Sequence, residues 1–390
     1  MALPNNKLSY TLSLIENQYV DSVAMDSLAE HVIPLLVKEL DPHSVYIPAA
    51  EMQQLNEPLE GEFDGIGVVF NMATDTVIVL NVIPQGPSDK AGIKAGDRII
   101  EINDTLVAGQ KIPQRDVVKK LRGPRGTTVH LGLGRQGIGE LVGVDVVRDK
   151  IPIKSIESAF RIADGIGYIR HSDFTEGCYE DMRAAVEKLR TGGELKGLIL
   201  DYRSNGGGIM QEAIKILGMF VPKGTEVVST KGRTEDSRQV YRTSSEPILP
   251  ALPLAVLING NSASASEIVT GALQDLDRAV VIGQRSYGKG LVQSPRPLGY
   301  NAMLKLTTAK YYIPSGRCIQ AIDYSHSQEG SVKAIPDSLI TEYRTRAGRK
   351  VYDGGGIMPD IRTEPEYISR FAMTLYALGF IEDFGDEYTR

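Results

Sequence analysis

Leu254-Ala255-Val256-Leu257-Ile258-Asn259-Gly260-Asn261-Ser262-Ala263-Ser264-Ala265-Ser266-Glu267 passes from a short apolar run, through a polar turn, into a stretch that continues Ile268-Val269. An unbroken apolar run of this length, bounded by a turn, reads as a buried strand, and the residues after it read as a helix. The same alternation continues on both sides. Upstream, Gly167–Arg170 reads as a strand, Tyr179–Leu189 as a helix, Leu198–Asp201 as a strand and Met210–Met219 as a helix. Pro253–Asn259 and Ser264–Gln274 follow as strand and helix, with Val280–Gly283 as the next strand. Strands separated by helices need crossover connections, so this part of the chain is expected to form an α/β core. Two late strands, Met303–Leu306 and Lys310–Ile313, and a helix over Ile368–Leu378 complete it.

The chain before this core has a different texture. Residues 8–40 read as helices, with Leu28, Val32, Leu35, Leu36 and Leu40 at helical spacing. Leu40-Asp41-Pro42-His43-Ser44 breaks the pattern, because Pro42 disfavours helix at Asp41. A glutamate-rich connector, Gln53–Glu62, leads to short β-branched runs at Val68–Phe70, Val77–Val82, Arg98–Ile102 and Val129–Leu133. Gln114–Leu121, with Val117, Val118 and Leu121 on one side, is the helix of this small α+β domain. The expected division is a helical region over 1–60, a small domain over 61–150, and a core with its C-terminal segment over 151–390.

At 390 residues the chain is long for one core. A net charge of −6 without a basic block argues against a nucleic-acid partner. Cys178 and Cys318 sit in no C-x-x-C pair, which speaks against zinc and leaves two free thiols as the simpler reading. No window reaches the roughly 20 apolar residues of a membrane span. Met1–Tyr10 lacks the pattern of a secretion signal.

Three segments carry candidate chemistry. A serine at a strand-to-helix turn sits near free N–H groups and a positive helix end, which suit an alkoxide and an adjacent oxyanion. The segment taken alone reads more simply as a Ser-rich N-cap followed by Glu267. A nucleophilic serine needs a base. His31, His43, His130, His171 and His326 lie in no glycine-framed loop, and no G-x-S-x-G elbow occurs. Lysine is the other choice, because burial can leave it neutral. In Ser286-Tyr287-Gly288-Lys289-Gly290-Leu291-Val292-Gln293, glycines flank Lys289. If 289–293 runs as a strand, Lys289, Leu291 and Gln293 share a face and Gln293 can orient the amine. A solvent-exposed turn lysine has the same local pattern. Asp201-Tyr202-Arg203-Ser204-Asn205-Gly206-Gly207-Gly208 ends a strand, and its glycines can present N–H groups to an oxyanion or simply make a tight turn.

Taken in order, Asp-x-Arg-x-Asn-x-Gly-Gly, Ser-Ala-Ser-Ala-Ser-Glu and Gly-Lys-Gly-x-Val-Gln resemble the carboxyl-terminal processing (tail-specific) proteases. The resemblance extends to Lys310–Arg317 and Gly354–Asp360 and covers roughly residues 30–365. Gly206, where many members carry proline, and Met358, where threonine is frequent, are departures outside the matched dyad. The resemblance implies Ser264 as nucleophile, Lys289 as base, Gln293 as its companion, and oxyanion donors from Gly207 or Gly208 and from Ala265. It implies a ClpP/crotonase-like α/β core with an inserted PDZ domain, needing neither metal nor cofactor.

The small domain resembles PDZ domains in Gly65-Ile66-Gly67-Val68, their carboxylate-binding loop, and in Ser88–Asp97 with Ile99 and Ile102-Asn103-Asp104. The implied partners are proteins or peptides with exposed C-terminal tails, captured as an added strand. A homodimer or higher oligomer, and a membrane tether outside this chain, stay open. The resemblance also implies action outside the cytoplasm, in the periplasm, with an export segment preceding this sequence. A catalytically inactive PDZ scaffold and a crotonase-like acyl-thioester enzyme are the competing classes. The first would lack the serine, the lysine or the glycine strip, and the second needs neither a PDZ domain nor a Ser–Lys pair.

Overall fold

The computed structural model describes residues 7–52, 61–72, 75–324, 333–334, 340–365 and 367–388. His326 and most of the Gln53–Glu62 connector lie outside the described residues. Contacts divide the chain into two units, one of residues 1–56 and 155–363, the other of residues 57–154 and 364–390. Residues 364–390 thus group with the small domain, and the N-terminal helices, Lys7–Gln18 and Met25–Lys38, group with the core.

The larger unit is built on a six-stranded sheet in the order Ile156–Ala163, Ile166–His171, Gly197–Asp201, Leu254–Ile258, Ala279–Gly283 and Ile361–Arg362. The first pair is an antiparallel hairpin and every later pair is parallel. Parallel strands covered on both faces need near-continuous apolar runs, which is what Leu254–Ile258 supplies: Val256 and Ile258 are fully buried. The helices Cys178–Thr191, Met210–Leu217 and Ala265–Asp275 provide the crossovers and pack Met182, Val186, Ile216, Leu217, Val269 and Leu273 into one core. The central elements thus match the sequence reading to within two residues at each end.

A second, antiparallel sheet orders Val45–Ile47, Met303–Tyr312, Glu226–Gly232 and Gln239–Arg242, with Leu291–Pro297 also pairing Met303–Tyr312. Here the sequence reading is corrected. The two expected late strands are one continuous strand, because Thr307 pairs with Gln293, Ala309 pairs with Val292 and Gly232, and Thr308 is the bulged residue between them, where a turn was expected. Cys178 and Cys318 are free thiols. Among the described residues no helix is long and apolar enough to cross a membrane.

The smaller unit contains a sheet ordered Val68–Asn71, Val77–Val82, Arg98–Ile102, Thr128–Gly134 and Val142–Val147, with Thr105–Leu106 beside Arg98–Ile102. Val77, Val79, Ile99, Val129, Leu131 and Leu133 form its core with Val117 and Leu121 of the helix Gln114–Leu121. Val68–Asn71 is an edge strand. Just before it Gly67 takes φ +75°, a left-handed conformation suited to glycine.

Candidate active site

Ligand sites in parallel sheets gather at the carboxyl ends of the strands. Three adjacent strands of the large sheet, ending at Asp201, Ile258 and Gly283, lead into the loops that carry Gly207, Ser264 and Lys289. The sheet order therefore sets the three candidate segments side by side.

Within Ser-Ala-Ser-Ala-Ser, the structure separates the serines by role. Ser262 is fully buried and donates its hydroxyl to Tyr202 O at 2.7 Å. Ser266 is fully buried and donates to Asn205 O at 3.0 Å. Both hydroxyls tie the turn to the glycine strip. Ser264 is the partly exposed one. It starts the helix Ala265–Asp275 with φ 56° and ψ −114°, a strained conformation for a residue with a side chain. Such outliers persist only where the surroundings hold them, and here Glu267 does so: its carboxylate accepts the Ser264 N–H at 2.8 Å.

Glu267 also holds the lysine loop. It is 1% exposed, and it accepts the Lys289 N–H at 2.9 Å, the Gly288 N–H at 2.7 Å and the Ser286 hydroxyl at 2.5 Å. Burial raises its pKa while these donors pull it down. One buried carboxylate thus fixes the backbones of Ser264 and Lys289 together. Tyr311, fully buried, adds a second clamp, its hydroxyl reaching the carbonyl oxygens of Ser264, at 3.2 Å, and of Lys289. The sequence reading treated Glu267 only as a helix-start residue. The Ser264-x-x-Glu267 capping spacing was the available signal, and what it lacked was the third partner, Lys289, 22 positions on.

The glycines flanking Lys289 do allow close approach. Gly288 has φ +86°, and a Cβ there would meet Ala321 Cβ at 2.4 Å. The Gly290 N–H donates to Gln320 Oε1 at 2.7 Å. Lys289 itself is partly buried, and its pKa lies below that of a free lysine, first through desolvation and then through Lys305. Glu267 and Asp41 oppose the shift. Among the described residues, no hydrogen bond joins Ser264 Oγ to Lys289 Nζ.

The strand after the lysine starts at Leu291, and its register slips between Val292 and Gln293. The expected single face bearing Lys289, Leu291 and Gln293 is therefore interrupted. Gln293 Nε2 donates instead to Thr307 Oγ1 at 3.2 Å, and Thr307 Oγ1 donates to Asp41 Oδ1 at 3.2 Å. Asp41 folds its own loop by accepting the His43 and Ser44 N–H groups, each at 2.8 Å, and the Ser44 hydroxyl at 2.8 Å. Ser44 Oγ in turn accepts the Thr307 N–H at 3.0 Å. The segment Asp41-Pro42-His43-Ser44 was legible as a helix break, and its Asx-turn chemistry places charge beside Lys289. Desolvation lowers the pKa of His43, with Lys289 acting in the same direction.

On the glycine strip, Asn205 is the organiser. Its Nδ2 donates to His171 O at 2.8 Å, its Oδ1 accepts the Gly207 N–H at 2.8 Å, and its carbonyl accepts the Ala263 N–H at 2.9 Å. Gly207 takes φ +97°, and a Cβ there would lie 2.7 Å from Ser264 Cβ and 2.8 Å from Ala265 N. Gly207 thus touches the Ser264 turn, but its N–H is committed to Asn205. Gly208 bridges to Phe174. The N–H groups of Gly208 and of Ala265, first residue of its helix, take no such bond among the described residues. His171 packs against Phe174 and Tyr202, and burial brings its pKa down to about 4. It belongs to the floor under the strip.

In the small domain, the Gly65–Val68 segment joins Glu62–Gly65, paired with Asp149–Pro152, to the edge strand. Ile66 O accepts the Ser88 N–H at 3.0 Å and Gly67 O accepts the Ile83 N–H at 2.9 Å, so the segment's carbonyls are turned into the protein. Among the described residues no His, Cys, Asp or Glu group suitable for a metal ion occurs.

The sequence profile of peptidase family S41 matches residues 165–326, and that of the PDZ domain matches residues 65–150. A carboxy-terminal-processing protease of Bartonella bacilliformis is 40% identical over 79% of this chain and 70% of its own length. The carboxy-terminal processing protease CtpB of Bacillus subtilis is 33% identical over 80% of this chain and 65% of its own length. In fold, a putative S41 protease from Bacteroides fragilis superposes over 98% of this chain and 99% of its own, with a TM-score of 0.52 at 15% identity. The chain therefore belongs to the carboxy-terminal-processing proteases of serine peptidase family S41, and it carries their α/β core with an inserted PDZ domain.

Proposed function

We propose that the chain is an endopeptidase in which Ser264 and Lys289 form the catalytic dyad and the PDZ domain selects substrates by their C-terminal tails. Neutral Lys289 accepts the Ser264 proton as Oγ adds to the scissile carbonyl, and the ammonium returns that proton to the leaving amine. The acyl-enzyme is then hydrolysed by a water molecule that Lys289 deprotonates in the same way. The N–H groups of Ala265 and Gly208 receive the oxyanion, while Gly207 sets the approach of the two loops. Gln293 acts through Thr307 and Asp41 in shaping the surroundings of the amine. The Gly65–Val68 loop takes the tail carboxylate. We also assign the site of action to the periplasm or another extracytoplasmic compartment, on family membership alone; fractionation of the native host checks it.

The observation that carries the reading is the Glu267 carboxylate, which bonds the backbones of both Ser264 and Lys289. Ser264→Ala and Lys289→Ala are expected to lower cleavage of a tailed protein substrate at least about a thousandfold, since the members of such a unit fail together. Both variants should keep the circular-dichroism spectrum of the parent. Near-full cleavage by either one rejects the dyad. A parent chain that binds tails and cuts nothing supports the scaffold alternative.

A further inference from the structure

We propose that the C-terminal helix Arg370–Ala377 completes the tail-binding groove of the PDZ domain, forming a subsite for a bulky apolar side chain four to five residues upstream of the tail's end. The proposal rests on the reading that the Gly65–Val68 loop receives the tail carboxylate. The edge strand Val68–Asn71 pairs on one side only, with Val77–Val82, so a peptide can add along its open side. A tail anchored at the loop advances about 3.3 Å per residue along that strand. Its residues four and five from the end therefore arrive roughly 13–17 Å away, at Asn71 and Met72.

A cavity of about 800 Å³ opens at that place. Phe70, Asn71 and Met72 form one wall, Ile112 and Gln114 at the start of the domain's helix form another, and Tyr376 and Ala377 close it. The lining is mixed: Phe70, Met72, Ile112, Ala377 and the Tyr376 ring are its apolar part, and Asn71, Asp75, Lys111 and Gln114 its polar part, and one of the polar groups points to a ligand. Asn71 Oδ1 is buried with no hydrogen-bond partner among the described residues. A buried acceptor without a donor is costly, and a turn of the Asn71 side chain toward the cavity would let a backbone N–H of the peptide satisfy it. Tyr376 is 63% exposed, so much of its ring is open to contact. The helix that presents it is held at its start by Ser369, whose hydroxyl accepts the Ala372 N–H at 3.1 Å.

The test uses the full chain carrying Ser264→Ala, so that peptides are bound and not cut. Two eight-residue peptides share an apolar C-terminal tripeptide and differ only in phenylalanine or serine at the fifth position from the end. Fluorescence anisotropy should give about five- to tenfold tighter binding for the phenylalanine peptide, the effect of one aromatic anchor. Tyr376→Ala should remove that difference and leave the serine peptide's affinity unchanged, while Tyr376→Phe should keep it. Equal binding of both peptides to the parent, or a preference that survives Tyr376→Ala, overturns the subsite. If C-terminal amidation leaves binding unchanged, or neither peptide binds, the carboxylate-loop reading itself fails and the subsite falls with it.

Discussion

As the proposed base, Lys289 is the residue on which the pH dependence should turn. A lysine acts as a base only when neutral, so its pKa marks the pH at which activity rises. Desolvation and Lys305 push that pKa below the ordinary lysine value, while Glu267 and Asp41 push it up. His43, the remaining titratable neighbour, is itself held toward its neutral form by desolvation and by Lys289. The kcat/KM profile should therefore climb with pH and level off below the range of an exposed lysine. Asp41→Asn removes an anion that favours the ammonium, so the rising limb should move to lower pH. Lys305→Gln removes a cation that disfavours it, so the limb should move to higher pH. Asp41 also folds its loop, and its loss is expected to lower the plateau rate as well. The midpoint of the limb is thus the informative quantity. Unchanged midpoints in both variants would take the base role away from Lys289.

Among the elements, the strand–turn–helix units were the legible part, because each one states its own identity locally. Leu254–Ile258 is apolar throughout, Ala265–Asp275 follows a capping sequence, and the turn between them holds Ser264, the proposed nucleophile. The antiparallel sheet was less legible. Glu226–Gly232 and Gln239–Arg242 alternate weakly and pair with each other, and the pairing of Glu226–Gly232 with Met303–Tyr312 joins segments distant in sequence. The same limit hid Glu267, Thr307 and Asp41, whose roles exist only between elements. The glycine strip shows how an element's geometry gives a substitution test that sequence alone does not. Gly206 has open space where a Cβ would stand, whereas at Gly207 a Cβ would lie 2.7 Å from both Ala263 O and Ser264 Cβ. Gly206→Ala is expected to leave peptidase activity within about twofold, as for an open surface position. Gly207→Ala should destabilise the fold by about 1–3 kcal/mol through strain and crowding, and it should cost at least tenfold in kcat. Thermal melts and initial rates on the two variants check this contrast; equal behaviour would mean that the strip is not packed on the nucleophile turn.

For the whole molecule, the chain passes between its two units at residues 56–57, 154–155 and 363–364. The PDZ domain is therefore tied into the catalytic unit's own sequence on both sides, which makes it more than a terminal appendage. Ser264 Oγ and Lys289 Nζ are not hydrogen-bonded, although Glu267 and Tyr311 hold their backbones together. Proton transfer in the proposed dyad requires the amine to close on the hydroxyl, and a ligand can favour that closure only by binding the closed arrangement better than the open one. We expect tail binding to the Gly65–Val68 loop to do so. The competing account is local concentration, in which the PDZ domain raises the effective concentration of attached substrate and leaves the site unchanged. The accounts separate when a tail that cannot be cleaved is added in trans and a small chromogenic peptide without a tail is the substrate. Gating predicts a higher kcat for the small peptide, saturating with tail concentration. Tethering predicts no change, because the added tail is not joined to what is cut. The gain should vanish when the tail's carboxylate is amidated, since the loop is proposed to take a charged terminus. A flat response to the unmodified tail would reject the gate and leave the PDZ domain as a tether.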